Sequence, residues 1–131
     1  MNQWASRQPI TRKPWGEERK GRYQAEAEQS RAFEDLLALH RVDWWHVNLP
    51  MRSKAGFPDY MLMGDGWLAF VELKAVSPTT GKTGRLSAEQ IAFHERLHKA
   101  GAMVSVFVLP RDLEEANQWL KQFTGREVTF T

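Results

Sequence analysis

The sequence predicts an α/β sandwich with a mixed central sheet flanked by helices, and three observations point to it. Two short apolar runs, Tyr60-Met61-Leu62-Met63 and Trp67-Leu68-Ala69-Phe70-Val71, are separated by Gly64-Asp65-Gly66, a strong hairpin signal. A third run, residues 103–109, is almost wholly apolar, as expected of a buried strand. Segments with helical spacing of apolar residues precede, separate and follow these runs. The resulting order of helix, strand, strand, strand, helix, strand, helix is that of a sheet covered by helices.

Residues 1–21 hold Pro9, Pro14, Gly16 and Gly21 with little apolar periodicity, so they read as an extended, flexible basic arm ahead of a single folded domain at 22–131. From 22 to 41, Ala25, Phe33, Leu36, Leu37 and Leu39 recur among charged neighbours, giving an amphipathic helix. Residues 42–49 read as a strand and 50–56 as a basic loop carrying Arg52 and Lys54. After the hairpin, residues 77–84 are rich in Pro, Thr, Gly and Lys and read as a flexible loop. Ser87 is the N-cap of the next helix, with Gln90 three residues on as its capping-box partner. That helix runs to about Lys99, and Gly101 ends it. Asp112 or a neighbour starts the last helix, which runs through Phe123 with Leu113, Ala116, Trp119, Leu120 and Phe123 as its core stripe. Residues 128–131 read as a short further edge strand.

The chain has 131 residues, enough for one domain with a real core. It contains no cysteine, which excludes disulfides and thiolate metal sites. No apolar stretch approaches a membrane span, and the first residues lack the hydrophobic segment of a signal peptide, so an intracellular protein is expected. A net charge of +2 argues only weakly for a polyanionic partner. The placement of cations argues better. Arg52 and Lys54 come from one loop, Lys82 and Arg85 from another, and Arg12 and Lys13 from the arm. Together they would hold a nucleic acid by its phosphates without reading its bases. Trp4 and Trp15 in the arm add rings on which exposed bases can stack.

Asp59 lies at the start of the first hairpin strand, and Glu72 and Lys74 lie near the end of the second. A hairpin brings these residues to the same end, and period-two alternation puts Glu72 and Lys74 on one face with Leu73 on the other. Two converging carboxylates bind a hard divalent cation through oxygen, and Mg²⁺ needs only one or two of them beside water and phosphate. Lys74 can orient the attacking water and offset charge developing on the phosphate.

Pro58-Asp59 followed by Glu72-Leu73-Lys74 resembles the PD-(D/E)XK nuclease signature, most closely its VRR-NUC branch. The order of Glu28-Gln29, Trp44-Trp45-His46, Gly56-Phe57-Pro58-Asp59, Glu72-Leu73-Lys74 and Leu86-Ser87-Ala88-Glu89-Gln90, then residues 101–108 and Pro110-Arg111-Asp112, is similar to that branch, and the resemblance covers roughly Glu26 to Leu120, leaving the two ends outside it. The resemblance implies a restriction-endonuclease-like sandwich in which Asp59 and Glu72 ligate Mg²⁺ or Mn²⁺, with the Leu73 carbonyl as a further ligand. It implies that Lys74 positions the water, that Gln90 reaches toward the lysine and the metal site, and that Glu28 holds a metal-bound water or second ion. Glu26 and Glu34 compete with Glu28 for that role. It also implies a phage or bacterial homodimer that cuts branched DNA, in the manner of Holliday-junction resolvases. Gln90 faces a conflict, because on this reading one side chain cannot both cap its helix and serve the site.

Two other functions fit parts of the sequence. A non-catalytic DNA-binding or assembly module could keep the same fold. His94-Glu95-Arg96-Leu97-His98 is the string of a zinc peptidase, which needs a third ligand downstream. Only Asp112, Glu114, Glu115 and Glu127 are offered there. This reading ranks behind the others, with His94 and His98 expected to be partly exposed helix residues.

Overall fold

The computed structural model describes residues 13–47, 56–77 and 79–129, with 13–26 as backbone only. Helix α1 spans Lys13–His40, strand β1 Asp43–His46, β2 Tyr60–Gly64 and β3 Trp67–Leu73. Helix α2 spans Ala88–Lys99, β4 Met103–Phe107 and α3 Leu113–Thr124. The strands form one sheet in the order β1-β2-β3-β4. The first three strands run antiparallel in succession, and β4 joins β3 in parallel. The chain is therefore a small α/β fold, a mixed four-stranded sheet flanked by three helices. No helix among the described residues is long and apolar enough to cross a membrane.

The seven elements follow the order that the sequence predicts, but several bounds differ. Helix α1 begins at Lys13 rather than at residue 22, so part of the expected arm is helical. Pro14 falls in the first turn, where a missing N–H has no partner to lose. Gly16 and Gly21 each cost only about 1 kcal/mol against alanine, which a long helix absorbs. Residues 1–12 lie outside the described residues.

Strand β4 stops at Phe107, short of Leu109. The next two backbone N–H groups are taken by side chains: Val108 donates to Asp112 Oδ2 and Leu109 to Gln29 Oε1. The strand is also an edge strand and is only partly buried, not the fully covered one expected. The edge strand expected at 128–131 does not form through residue 129, because the Val128 carbonyl accepts from Asn117 Nδ2 instead of from a neighbouring strand. The expected flexible loop after β3 is folded back on itself. Val76 bridges Thr83, and Ser77 N–H donates to the Lys82 carbonyl.

The core lies on one face of the sheet. Tyr60 pairs with Val71 and Leu62 with Ala69, so alternation aims these four side chains the same way. They meet Phe33, Leu36 and Leu37 of α1 and Ala116 and Leu120 of α3, all buried. Each fully buried Leu or Phe side chain contributes about 1.5–3 kcal/mol. At the end of α1, His40 is buried and bonded on both ring nitrogens, to Asn117 Oδ1 at 2.7 Å and Thr124 Oγ1 at 2.9 Å. This ties α1 to α3.

The opposite face carries α2, which has no fully buried residue. Its Phe93 meets Phe57, which in turn meets Phe70 of β3. Away from α2, Trp45, Met63 and Leu68 on that face stay exposed.

Candidate active site

The register of the hairpin decides where the carboxylates go. Tyr60 is paired with Val71, so one step further along the antiparallel pair Asp59 faces Glu72. Directly opposed residues on adjacent strands stand about 4.5–5.5 Å apart. Two carboxylates on such neighbouring positions, both withdrawn from water, resist ionisation together. Burial holds Asp59 above its ordinary value, although the Leu73 N–H donates to its Oδ2 at 2.9 Å. Burial, and then the charge of Asp59, push Glu72 up to about 7.

Glu72 is 4% exposed and only half satisfied. Its Oε2 accepts from Gln90 Nε2 at 2.9 Å and lies 3.6 Å from Lys74 Nζ. Its Oε1 is buried with no hydrogen-bond partner. A buried carboxylate oxygen left bare, beside a second carboxylate, is an unfavourable arrangement that a divalent cation relieves. The donor set fits Mg²⁺ or Mn²⁺, both of which take oxygen ligands. Among the described residues no group of three or more His, Cys, Asp or Glu is arranged to hold a metal.

Gln90 caps its helix and at the same time contacts Lys74 and Glu72. Its Oε1 accepts from Ser87 N–H at 2.8 Å and from Lys74 Nζ at 3.1 Å, while its Nε2 donates to Glu72. The Ser87 hydroxyl accepts from Gln90 N–H and completes the capping box. An amide has two acceptor lone pairs and two donor hydrogens, so one side chain caps the helix and braces the lysine and the carboxylate. Capping the helix therefore does not keep Gln90 from the lysine and the carboxylate.

The Gly56-to-Asp59 segment is clamped against this helix start. Gly56 adopts φ +95, and a Cβ there would lie 2.5 Å from the Glu89 carbonyl oxygen. Only glycine allows so close an approach in that conformation. Pro58 behind it is fully buried. The positions of Asp59 and Gln90 are thus fixed against each other.

A cavity of about 950 Å³ opens at these strand ends. Asp59, Glu72, Leu73, Lys74 and Lys82 line it on the sheet and loop side. Ala27, Ser30, Arg31 and Glu34 line it from α1, and their spacing is that of one helical face. Glu28 is exposed and is not on the cavity wall. Among the residues of α1 whose side chains are described, the acidic one on the cavity wall is Glu34, and the side chain of Glu26 lies outside the described residues. Arg85 is exposed and also off the wall. Arg12, Arg52 and Lys54 fall outside the described residues, as does the side chain of Lys13.

Three titratable residues of the wall are not among the site residues that the sequence predicts. Tyr60 donates its hydroxyl to Glu34 Oε2 at 2.6 Å, and burial, followed by the charge and hydrogen bond of Glu34, pushes the phenol far up. His46, the cross-strand partner of Tyr60, stacks on its ring and has Nδ1 4.0 Å from Glu34 Oε2. Arg31 is the third. The available signal was the set of positions 27, 30, 31 and 34 in helical phase, together with an aromatic at the start of β2.

The two histidines of the peptidase string part company. His98 is exposed, whereas His94 is half-buried with its Nε2 enclosed and unpartnered. Burial and the charge of Lys74 hold His94 below its ordinary value. Asp112, one of the downstream ligand candidates, is already engaged by Val108 N–H and by Arg111, and the Arg111 guanidinium holds it low.

No protein-family model matches the chain, and no curated protein and no solved structure matches it.

Proposed function

We propose that the chain is a metal-dependent nuclease of the PD-(D/E)XK kind, similar to VRR-NUC proteins and built as a restriction-endonuclease-like sandwich. On this reading it hydrolyses phosphodiester bonds in branched or structured DNA, such as Holliday junctions, and works as a homodimer with two cutting sites. One observation carries the reading: Asp59 and Glu72 oppose each other, with Glu72 Oε1 buried and bare and Lys74 beside Glu72 Oε2.

Asp59 and Glu72, with the Leu73 carbonyl, would hold Mg²⁺ or Mn²⁺. When bound, such an ion lowers the pKa of water and offsets charge on the phosphate. Lys74 is held by Gln90, so its ammonium is aimed before substrate arrives, and it orients the attacking water and stabilises a phosphoryl oxygen. The water oxygen forms the new bond to phosphorus and gives up a proton to solvent, while the bond to the leaving sugar oxygen breaks and that oxygen takes a proton from solvent. Arg31 and Lys82 on the cavity wall neutralise flanking phosphates, which positions the strand without reading sequence.

The test is cleavage of labelled junction, flap, single-stranded and duplex DNA with Mg²⁺, Mn²⁺ or EDTA, comparing wild type with Glu72→Ala and Lys74→Ala. Metal-dependent cutting that both substitutions abolish is the expected result. DNA bound but never cut would favour the binding-module reading instead.

A further inference from the structure

One feature of the cavity wall is not used by hydrolysis. His46 lies flat on Tyr60, with ring centroids 4.5 Å apart and planes within 5°. Tyr60 is itself fully buried, wedged against Phe33 and bonded to Glu34. The inner ring is thus held by packing and a hydrogen bond, and the outer ring lies flat against it. Yet the His46 side chain is 45% exposed, because it sits on the edge strand β1 with one face covered and the other open to the cavity. His46 and Asp59 share the cavity wall, and Val47 donates its N–H to the Asp59 carbonyl, so this open ring lies beside the segment carrying the proposed metal ligand.

The geometry points to His46 as a stacking platform for a single unpaired nucleobase next to the scissile phosphate. This inference rests on the nuclease reading and narrows its substrate class. A flat ring with one free face, rigidly backed, binds the π-face of any base with little sequence preference. In a duplex both faces of each base are already covered by neighbours, so the platform takes only a base that has left the stack. Arg31 and Lys82 on the same wall supply the cations that hold the attached backbone. The substrate class is therefore DNA with a splayed or single-stranded nucleotide at the cut, as at a branch point or flap.

The experiment uses the full chain with Ca²⁺ in place of Mg²⁺, and oligonucleotides carrying 2-aminopurine beside the cleavage position mapped for wild type, or at successive positions if none is found. Wild type, His46→Ala and His46→Phe are compared on flap, single-stranded and duplex DNA, with thermal melts to verify folding. Quenching of 2-aminopurine by wild type and by His46→Phe is expected, with its loss in His46→Ala. Affinity for flap and single strand should fall about tenfold in His46→Ala, with duplex affinity unchanged. The platform is overturned if His46→Phe is as weak as His46→Ala, since the ring would then act through its nitrogens. It is equally overturned if duplex and flap affinity fall together, or if His46→Ala matches wild type on every DNA while wild type still cuts. A wild type that binds no DNA of any form removes the nuclease reading, and the platform with it.

Discussion

Glu72→Gln should stabilise the metal-free protein by an amount that grows as pH rises above 4.5 and is complete above about 7. The carboxyl titrates at about 7 against an ordinary value of 4.5, so ionising it in the folded state costs about 3 kcal/mol relative to the unfolded chain. The sign follows from proton counting. Between pH 4.5 and 7 the folded protein keeps a proton on Glu72 that the unfolded chain has released, so stability declines as pH rises through this window. Below it the contribution is fully retained, and above it the loss is complete. Asp59, also raised by burial, adds to the decline in the same direction. His94, held low, works oppositely, favouring the folded state above its unfolded value and weakening it as pH falls.

Comparing wild type with Glu72→Gln cancels most of these other contributions. Glutamine preserves shape and can still accept from Gln90, but it leaves one buried polar atom unpaired. The net gain at pH 8 is therefore about 1–3 kcal/mol, shrinking toward zero at pH 4.5. Urea unfolding in EDTA at a series of pH values reads this directly. Adding Mg²⁺ at pH 8 should raise the wild-type midpoint by ligand linkage and leave the variant unmoved. Parallel pH curves for the two proteins, or a wild type that gains stability from pH 5 to 7.5, would refute the view that Glu72 is held as a strained, cation-seeking acid.

Other substitutions probe the frame around the site. Arg41 ends α1 at φ +57, with Val42 N–H bonding the Leu37 carbonyl. Gly101 holds the matching place after α2, with Ala102 N–H bonding Leu97. Arg41→Gly should relieve the left-handed strain and stabilise by about 1 kcal/mol, read as a rise in Tm of a few degrees. Gly56→Ala should cost more than about 2 kcal/mol and lower cleavage as well, since both its φ and the Glu89 carbonyl forbid a Cβ; unfolding midpoint and rate are measured together. Gln90→Glu should keep the helix cap but place a third carboxylate beside Glu72, cutting activity about 100-fold or more with helix content by circular dichroism unchanged. Leu62→Ala, in the middle of the buried face, should cost about 2–5 kcal/mol and leave metal affinity intact where the protein is folded.

The parts of the site that were legible in the sequence are those fixed by local rules. Gly64-Asp65-Gly66 set the hairpin register, and the register alone brought Asp59 opposite Glu72. Ser87 and Gln90 announced the cap of α2. What was not legible depends on how distant segments are phased. Whether Glu28 or Glu34 faces the cavity turns on the rotation of α1 about its axis, which is set by Phe33, Leu36 and Leu37 packing on the sheet. His46 reaches the wall only through the pairing of β1 with β2, and no tight turn in the intervening sequence fixes that register. The early start of α1 was hidden because proline and glycine read as breakers unless one weighs where in the first turns they fall.

The choice of residue at position 90 ties the two scales together. The third position of a capping box is filled equally well by glutamate or glutamine, and as a cap nothing distinguishes them. Beside Glu72 they are opposites. A glutamate would offer only acceptors, would set a third negative charge against two carboxylates already raised by burial, and would compete for Lys74. Glutamine offers an acceptor that Ser87 N–H and Lys74 share, and a donor that Glu72 Oε2 uses. A shorter asparagine, with one fewer methylene, could not span from the helix cap to the strand. The amide thus satisfies a local rule of helix termination and an electrostatic requirement of the strand end at once. On the nuclease reading, the Glu72 oxygen that it leaves bare, Oε1, is where a cation would bind.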